Sequence, residues 1–246
     1  MQSSNPAFSD TFVENFAYAN SQSRTMTVEG TATKAVLLLA IMSTTFAVAW
    51  SMTETGKMSY GVIGVSSLLA FVVAMFTCFK PLSAAWTSPI YSALQGIALG
   101  GISRAVEATT YPGIALQAVI LTSGVTFLMF VIYATRLIRV TGQLASAVIA
   151  ATGGICLLYL GAWIYSMFGG DISLIQGSSN FSIGFSFFVV GLAAFNLLLD
   201  FDFIEKGAQS HLDKRMEWYG AFALMITLVW MYRQILDLLR KMNSRN

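Results

Sequence analysis

A chain of 246 residues that is 56% hydrophobic and 11% charged carries under half the charge of an average soluble domain, which is roughly 25% charged. Its mean hydropathy of +0.67 is more apolar surface than a soluble core can hide, so lipid is the solvent for most of it. The formal net charge of +2, from 14 basic and 12 acidic residues, excludes the strongly basic footprint of a nucleic-acid binder.

Residues 1–33 form a polar tail of mixed charge with no apolar stretch, so no cleavable signal peptide is expected. Residues 34–246 are predicted to form a transmembrane domain. Crossing a hydrocarbon core of about 30 Å takes roughly 20 apolar residues in a helix. Seven stretches qualify: Ala35–Met52, Tyr60–Phe79, Ala84–Ile102, Gly113–Tyr133, Leu144–Phe168, Phe181–Phe201 and Trp218–Leu239. Continuous apolar runs do not fit the alternating strands of a lipid-embedded barrel, so the fold class is all-α, a seven-transmembrane-helix bundle.

Breaks between the spans support these limits. "SMTETGKMSY" separates the first two, "RLIRVTGQ" the fourth and fifth, and "MFGGDISLIQGSSN" the fifth and sixth. The link "KPLSA" is so short that spans two and three must form a tight antiparallel hairpin. Pro89 falls in the first turn of span three and Pro112 just before span four, where a missing N–H does least harm. Span three repeats small residues at Ser92, Gly96 and Gly100, the spacing that lets helix backbones approach closely. Span five has a similar stripe in Ala147 and Ala151, with Ala150 and Gly154 on a neighbouring face.

Basic residues set the topology. Arg24, Lys34, Lys80, Arg136, Arg139, Lys206, Lys214 and Arg215 fall on one side, against Lys57, Arg104, Arg240, Lys241 and Arg245 on the other. Eight against five puts the N-terminus in the cytoplasm.

An ionisable side chain at the bilayer centre costs at least about 2.5–3.5 kcal/mol, so each one needs a reason. Arg233 and Asp237 in span seven are four apart and expected to pair, as are Arg104 and Glu107, three apart, at the outer end of span three. Glu217, in the first turn of span seven, is explained by the helix dipole. Asp202 lies four residues before Lys206, the favoured orientation for a pair. Asp200 has no cation among its three- and four-residue neighbours Asn196, Leu197, Phe203 and Ile204. Two residues turn a helix by about 200°, so Asp200 points away from Asp202 and into the bundle. Its partner must be another helix, a proton or a bound cation.

Catalytic chemistries lack their parts. The single histidine, His211, lies outside the spans and cannot serve Ser123 as a base or build a metal hydrolase. Cys78 and Cys156 sit in apolar runs without metal-ligand spacing. No span holds a central lysine for a Schiff base, and no phosphate-binding loop follows a strand. Neither an enzyme nor a cofactor is expected.

"SSNPAFS", "SPIYSALQGIALGGIS", "LDFDFIEKG" and "KRMEWYGAFALMITLVWMYRQILDLL" together resemble the Bax inhibitor family, the transmembrane Bax inhibitor motif group, and within it the bacterial YccA-like branch. The resemblance covers nearly the whole chain. It implies six helices around a central seventh, in a bacterial inner membrane, and a pH-sensitive calcium leak. In channel members an aspartate ending helix six and another in helix seven share a proton and latch the pore. Asp200 matches the first, and as the ion- and proton-sensing group it would bind Ca2+. Val229 or Trp230 falls where the second is implied, and Lys80 falls near the latch arginine after helix two. Asp202 or Glu217 is then left to share a proton with Asp200, since two close carboxylates can form a pH switch. Lys80, Arg233 and Asp237 are the remaining candidates for a latch or gate. A second reading is a non-conducting partner of another membrane protein, such as a quality-control protease, bound through the polar tail.

Overall fold

The computed structural model describes residues 25–170, 172 and 177–244. Among these, seven helices cross from end to end: α1 (Val28–Glu54), α2 (Tyr60–Phe79), α3 (Ala84–Thr109), α4 (Ile114–Ala134), α5 (Gly142–Met167), α6 (Asn180–Gln209) and α7 (Met216–Asn243). The end where α1 begins is here the near end, and the other the far end. The first 24 residues, Arg24 among them, and Arg245 lie outside the described residues.

Side chains define the helix starts. Thr27, Thr141 and Ser179 each accept a hydrogen bond from a backbone N–H of the first turn, closing α1, α5 and α6, as N-caps do. Gly113 precedes α4 at a φ of 92°, a left-handed conformation that glycine adopts without steric cost. A short 3-10 turn, Pro81–Ser83, makes the tight α2–α3 corner.

Three boundaries differ by seven residues or more from the sequence expectation, one of them the end of α3, which runs to Thr109 and not Ile102. α1 starts at Val28, seven residues before Ala35, because Thr27 supplies a cap within the polar segment. α6 runs two turns past Phe201, so Lys206 is helical and not in a loop. The extra turns carry charges on one side and bury Ile204 and Gly207 on the other, which keeps them helical beyond the lipid.

Six of the seven helices are long and apolar enough to cross a membrane, and α3 is the exception. Its 26 residues are long enough at 1.5 Å per residue, but Ser88, Ser92, Gly96, Gly100 and Ser103 lower its hydropathy. All five are buried. α3 is packed among α1, α2 and α7, so protein surrounds its polar face. The molecule is an all-α, multi-pass membrane protein, with Phe71, Phe127, Trp163 and Phe187 turned outward to the lipid.

α7 forms the axis. Its principal neighbours are α1, α3, α4 and α6, while α2 rests mainly on α3, and α5 on α6. One apolar cluster joins Leu99, Ala118, Leu197, Val229 and Ile235 across α3, α4, α6 and α7. A second joins Leu38, Ala70, Tyr91 and Phe222 across α1, α2, α3 and α7. The third, Val148, Ile155, Val189 and Leu192, seals α5 to α6.

Candidate functional site

Phe201 fixes the rotation of α6. Its ring packs against Phe130 and Tyr133 of α4 at centroid distances of 5.9 and 5.8 Å. With that face on α4, the preceding residue is swung toward α7. Asp200 is half-buried as a residue, yet its Oδ2 is enclosed and without a hydrogen-bond partner. The Thr227 hydroxyl of α7 is turned toward the same carboxylate, and Thr227 is itself buried. Three enclosed side-chain atoms lack a partner among the described residues, Ser92 Oγ, Arg104 Nε and Asp200 Oδ2. Of these only Asp200 is an acid. An enclosed carboxylate oxygen without a donor is costly, and a proton or a cation is what relieves it.

Asp202 pairs with Lys206 at 2.6 Å. Both line a cleft of about 340 Å³ between α5 and α6. Asp200 and Asp202 thus occupy different faces, so Asp202 is not the group that shares a proton with Asp200.

Glu217 is not that group either. It is fully buried and accepts from the Thr27 backbone N–H at 3.0 Å and the Thr27 hydroxyl at 2.9 Å, while its other oxygen pairs with Lys34. Gly30 is required beside it, because a Cβ there would overlap the Glu217 carboxylate. Thr227 lies ten residues further along α7, about 15 Å away at helical rise. Glu217 therefore ties the start of α1 to the start of α7, a larger role than dipole compensation. The chain before α1 is held to the same place, with Met26 N–H donating to Leu212 O at 2.7 Å.

The latch candidates are dispersed. Lys80 caps the end of α2, exposed, with its ammonium 5.4 Å from the Phe76 ring centroid, and no acid pairs with it among the described residues. Arg233 is exposed and does not pair with Asp237. Asp237 instead takes Arg240 at 2.6 Å and Lys241 at 2.8 Å. The acid-before-base order favours those C-terminal cations over Arg233. Arg104 passes over Glu107 as well, pairing with Glu54 of α1 at 3.5 Å and lying over the Trp50 ring. Glu107 accepts from the Ala115 N–H at 3.4 Å.

Two features escaped the sequence reading. Thr227 is turned toward Asp200, and a threonine in an apolar helix carries no signal of its own. Glu205 gathers Tyr133, Arg136 and Gln209 at the near end. Its i, i+4 spacing to Gln209 could have flagged it. No group of three or more His, Cys, Asp or Glu side chains able to hold a metal converges among the described residues, and Asp200 contributes one carboxylate alone.

The family model described as Bax inhibitor 1 like matches residues 5–244. No curated protein matches the chain at a significant level.

Proposed function

The chain belongs to the Bax inhibitor 1 like family, and from that premise we propose that it is a passive cation leak, for calcium foremost, in a bacterial inner membrane. The near end faces the cytoplasm in this reading, because Lys34, Arg136, Arg139, Lys206, Lys214 and Arg215 collect there. The observation that carries the proposal is the enclosed, unpartnered oxygen of Asp200 facing α7 in the membrane domain. Such a group attracts a cation when ionised and loses that attraction when protonated.

No charged group among the described residues is set against Asp200. α7 presents Thr227, Asp202 and Lys206 of α6 pair on another face, Lys34 of α1 is engaged by Glu217, and Glu205 holds Arg136 beside α4. Without a facing arginine or lysine there is no ion-pair latch for acid to release. The sign therefore follows from charge alone: acid neutralises Asp200 and lowers the leak, and rising pH restores it.

Purified protein in liposomes loaded with a calcium dye tests this. The expected outcome is a leak that increases with pH, and an Asp200→Asn variant whose leak is lower and pH-independent. Wild-type protein without flux at any pH sinks the proposal. A pull-down with and without residues 1–24 would then address the protein-partner reading.

A further inference from the structure

We propose that the water-accessible route through this protein runs along the seam of α5, α6 and α7, closed midway by an apolar plug of Ile155, Leu192 and Trp230. Polar groups line up on that seam from both ends. At the near end, the cleft holding Asp202 and Lys206 reaches inward to Ile149 and Leu199. One helical turn deeper, the Asn196 amide of α6 donates to the Thr152 hydroxyl of α5 at 2.9 Å. Asn196 is also four residues before Asp200, on the same face of α6.

The far half has the same character. Tyr159 of α5 and Gln234 of α7 hydrogen-bond, with oxygen–oxygen and nitrogen–oxygen distances of 3.4 and 3.3 Å. Gln234 lies seven residues past Thr227, two turns along one face. Asp237 follows it, paired with Lys241, and the buried Lys241 donates to Ser186 of α6 at 2.8 Å. Lys241 in turn lines a cleft of about 340 Å³ at the far end, with Thr109, Ser178 and Arg240.

Between the halves, Thr152 and Tyr159 are seven residues apart, about 10.5 Å along α5. That gap is filled by Ile155, Val189 and Leu192, with Trp230 packed on them. Polar groups on either side of a short apolar constriction are the arrangement that gates by wetting and dewetting. α5 is the helix able to yield, because it has the smallest buried share of the six apolar spans and rests mainly on α6.

A larger cleft, about 560 Å³ between α1, α4 and α7, does not compete. It is lined by Leu39, Phe127, Phe130 and Leu228 and has no charged lining residue. Its Thr122 and Thr126 hydroxyls donate to carbonyls of their own helix. That cleft faces lipid.

The inference rests on the leak reading for its purpose, but thiol labelling tests it with no calcium present. The full chain carrying Cys78→Ala and Cys156→Ala, in liposomes, receives Thr152→Cys, Gln234→Cys or Ser123→Cys and is treated with a charged, water-soluble methanethiosulfonate. Thr152→Cys and Gln234→Cys should label while Ser123→Cys, in the lipid-facing cleft, should not. Trp230→Ala should speed labelling roughly tenfold, the ratio equivalent to about 1.4 kcal/mol in accessibility. Tyr159→Cys replaces Gln234→Cys if the latter fails to fold. Equal labelling of all three sites, labelling of none, or labelling of Ser123→Cys alone overturns the route. Flux that is absent while Thr152 and Gln234 label overturns the leak and leaves the route standing.

Discussion

α3 and α5 both carry several small residues, and the two helices turn them in opposite directions, α3 toward a neighbouring helix and α5 outward. At Gly96 and Gly100 the α3 backbone lies directly on α1, so that a Cβ would meet Met42 O, Thr45 Oγ1 and Phe46 O. At Gly153, Gly154 and Gly161 of α5 a Cβ would meet nothing within 4 Å. Small residues therefore bring helices together only where they face a neighbour, and these three glycines of α5 are exposed. α1 and α5 also differ in how firmly they are held to the rest of the bundle. α1 is held by the Glu217–Lys34 pair, by Thr27 and by Arg104–Glu54. α5 has Asn196–Thr152, Tyr159–Gln234 and one small apolar cluster. The firm half fixes the axis helix, and the loose half carries the polar seam.

The largest effect should come from cutting the firm half at Glu217. Breaking a buried ion pair by removing one partner costs about 3–5 kcal/mol. Lys34 is 19% exposed at its side chain and can reach water, so Glu217→Gln is expected near the lower figure. Thermal melting in detergent should show a clear drop in midpoint. The double variant Lys34→Met, Glu217→Gln should recover most of it, since replacing both partners of a buried pair is often close to neutral. Equal loss in the single and the double variant would mean that the Thr27 bonds, and not the ion pair, hold α1.

Much of this contrast was legible in the sequence, for identifiable reasons. Seven runs of membrane-crossing length give seven helices, six of them apolar enough to span lipid and α3 shielded by its neighbours, because a continuous apolar run in lipid satisfies its backbone as a helix. The isolation of Asp200 was readable by elimination, since its helical neighbours include no cation. Other features depend on contacts between helices. Arg104 chooses Glu54, fifty residues away, over Glu107. Asp237 had three cations within four residues, and spacing alone does not rank them. Thr227 is turned toward Asp200 through the packing of α6 on α7, which spacing within either helix does not encode. The last turns of α6 lie beyond the apolar run because their charges end it, although a helix leaving the membrane needs that change of composition.

A smaller effect is expected from Gly96→Ala. The added methyl would overlap a carbonyl of α1, and a backbone atom cannot swing aside as a side-chain tip can. Overpacking of this kind costs about 1–3 kcal/mol. The melting midpoint should fall by less than in Glu217→Gln, and crosslinking between cysteines placed on α1 and α3 should weaken. An unchanged midpoint would mean that the α1–α3 seam has slack and that the contrast with α5 is overstated.

The smallest effect, and the sharpest check on the comparison, is Gly154→Ala. Gly154 is exposed on α5, its missing Cβ has open space, and alanine suits a helix interior better than glycine by roughly 0.5–1 kcal/mol. The midpoint should hold or rise slightly, in direct contrast to Gly96→Ala. If both glycines lose stability to the same degree, the outer face of α5 is covered by a neighbour, and the contrast between the two helices fails. The pair of variants thus measures, without any transport assay, which glycines lie against a packed helix and which face outward.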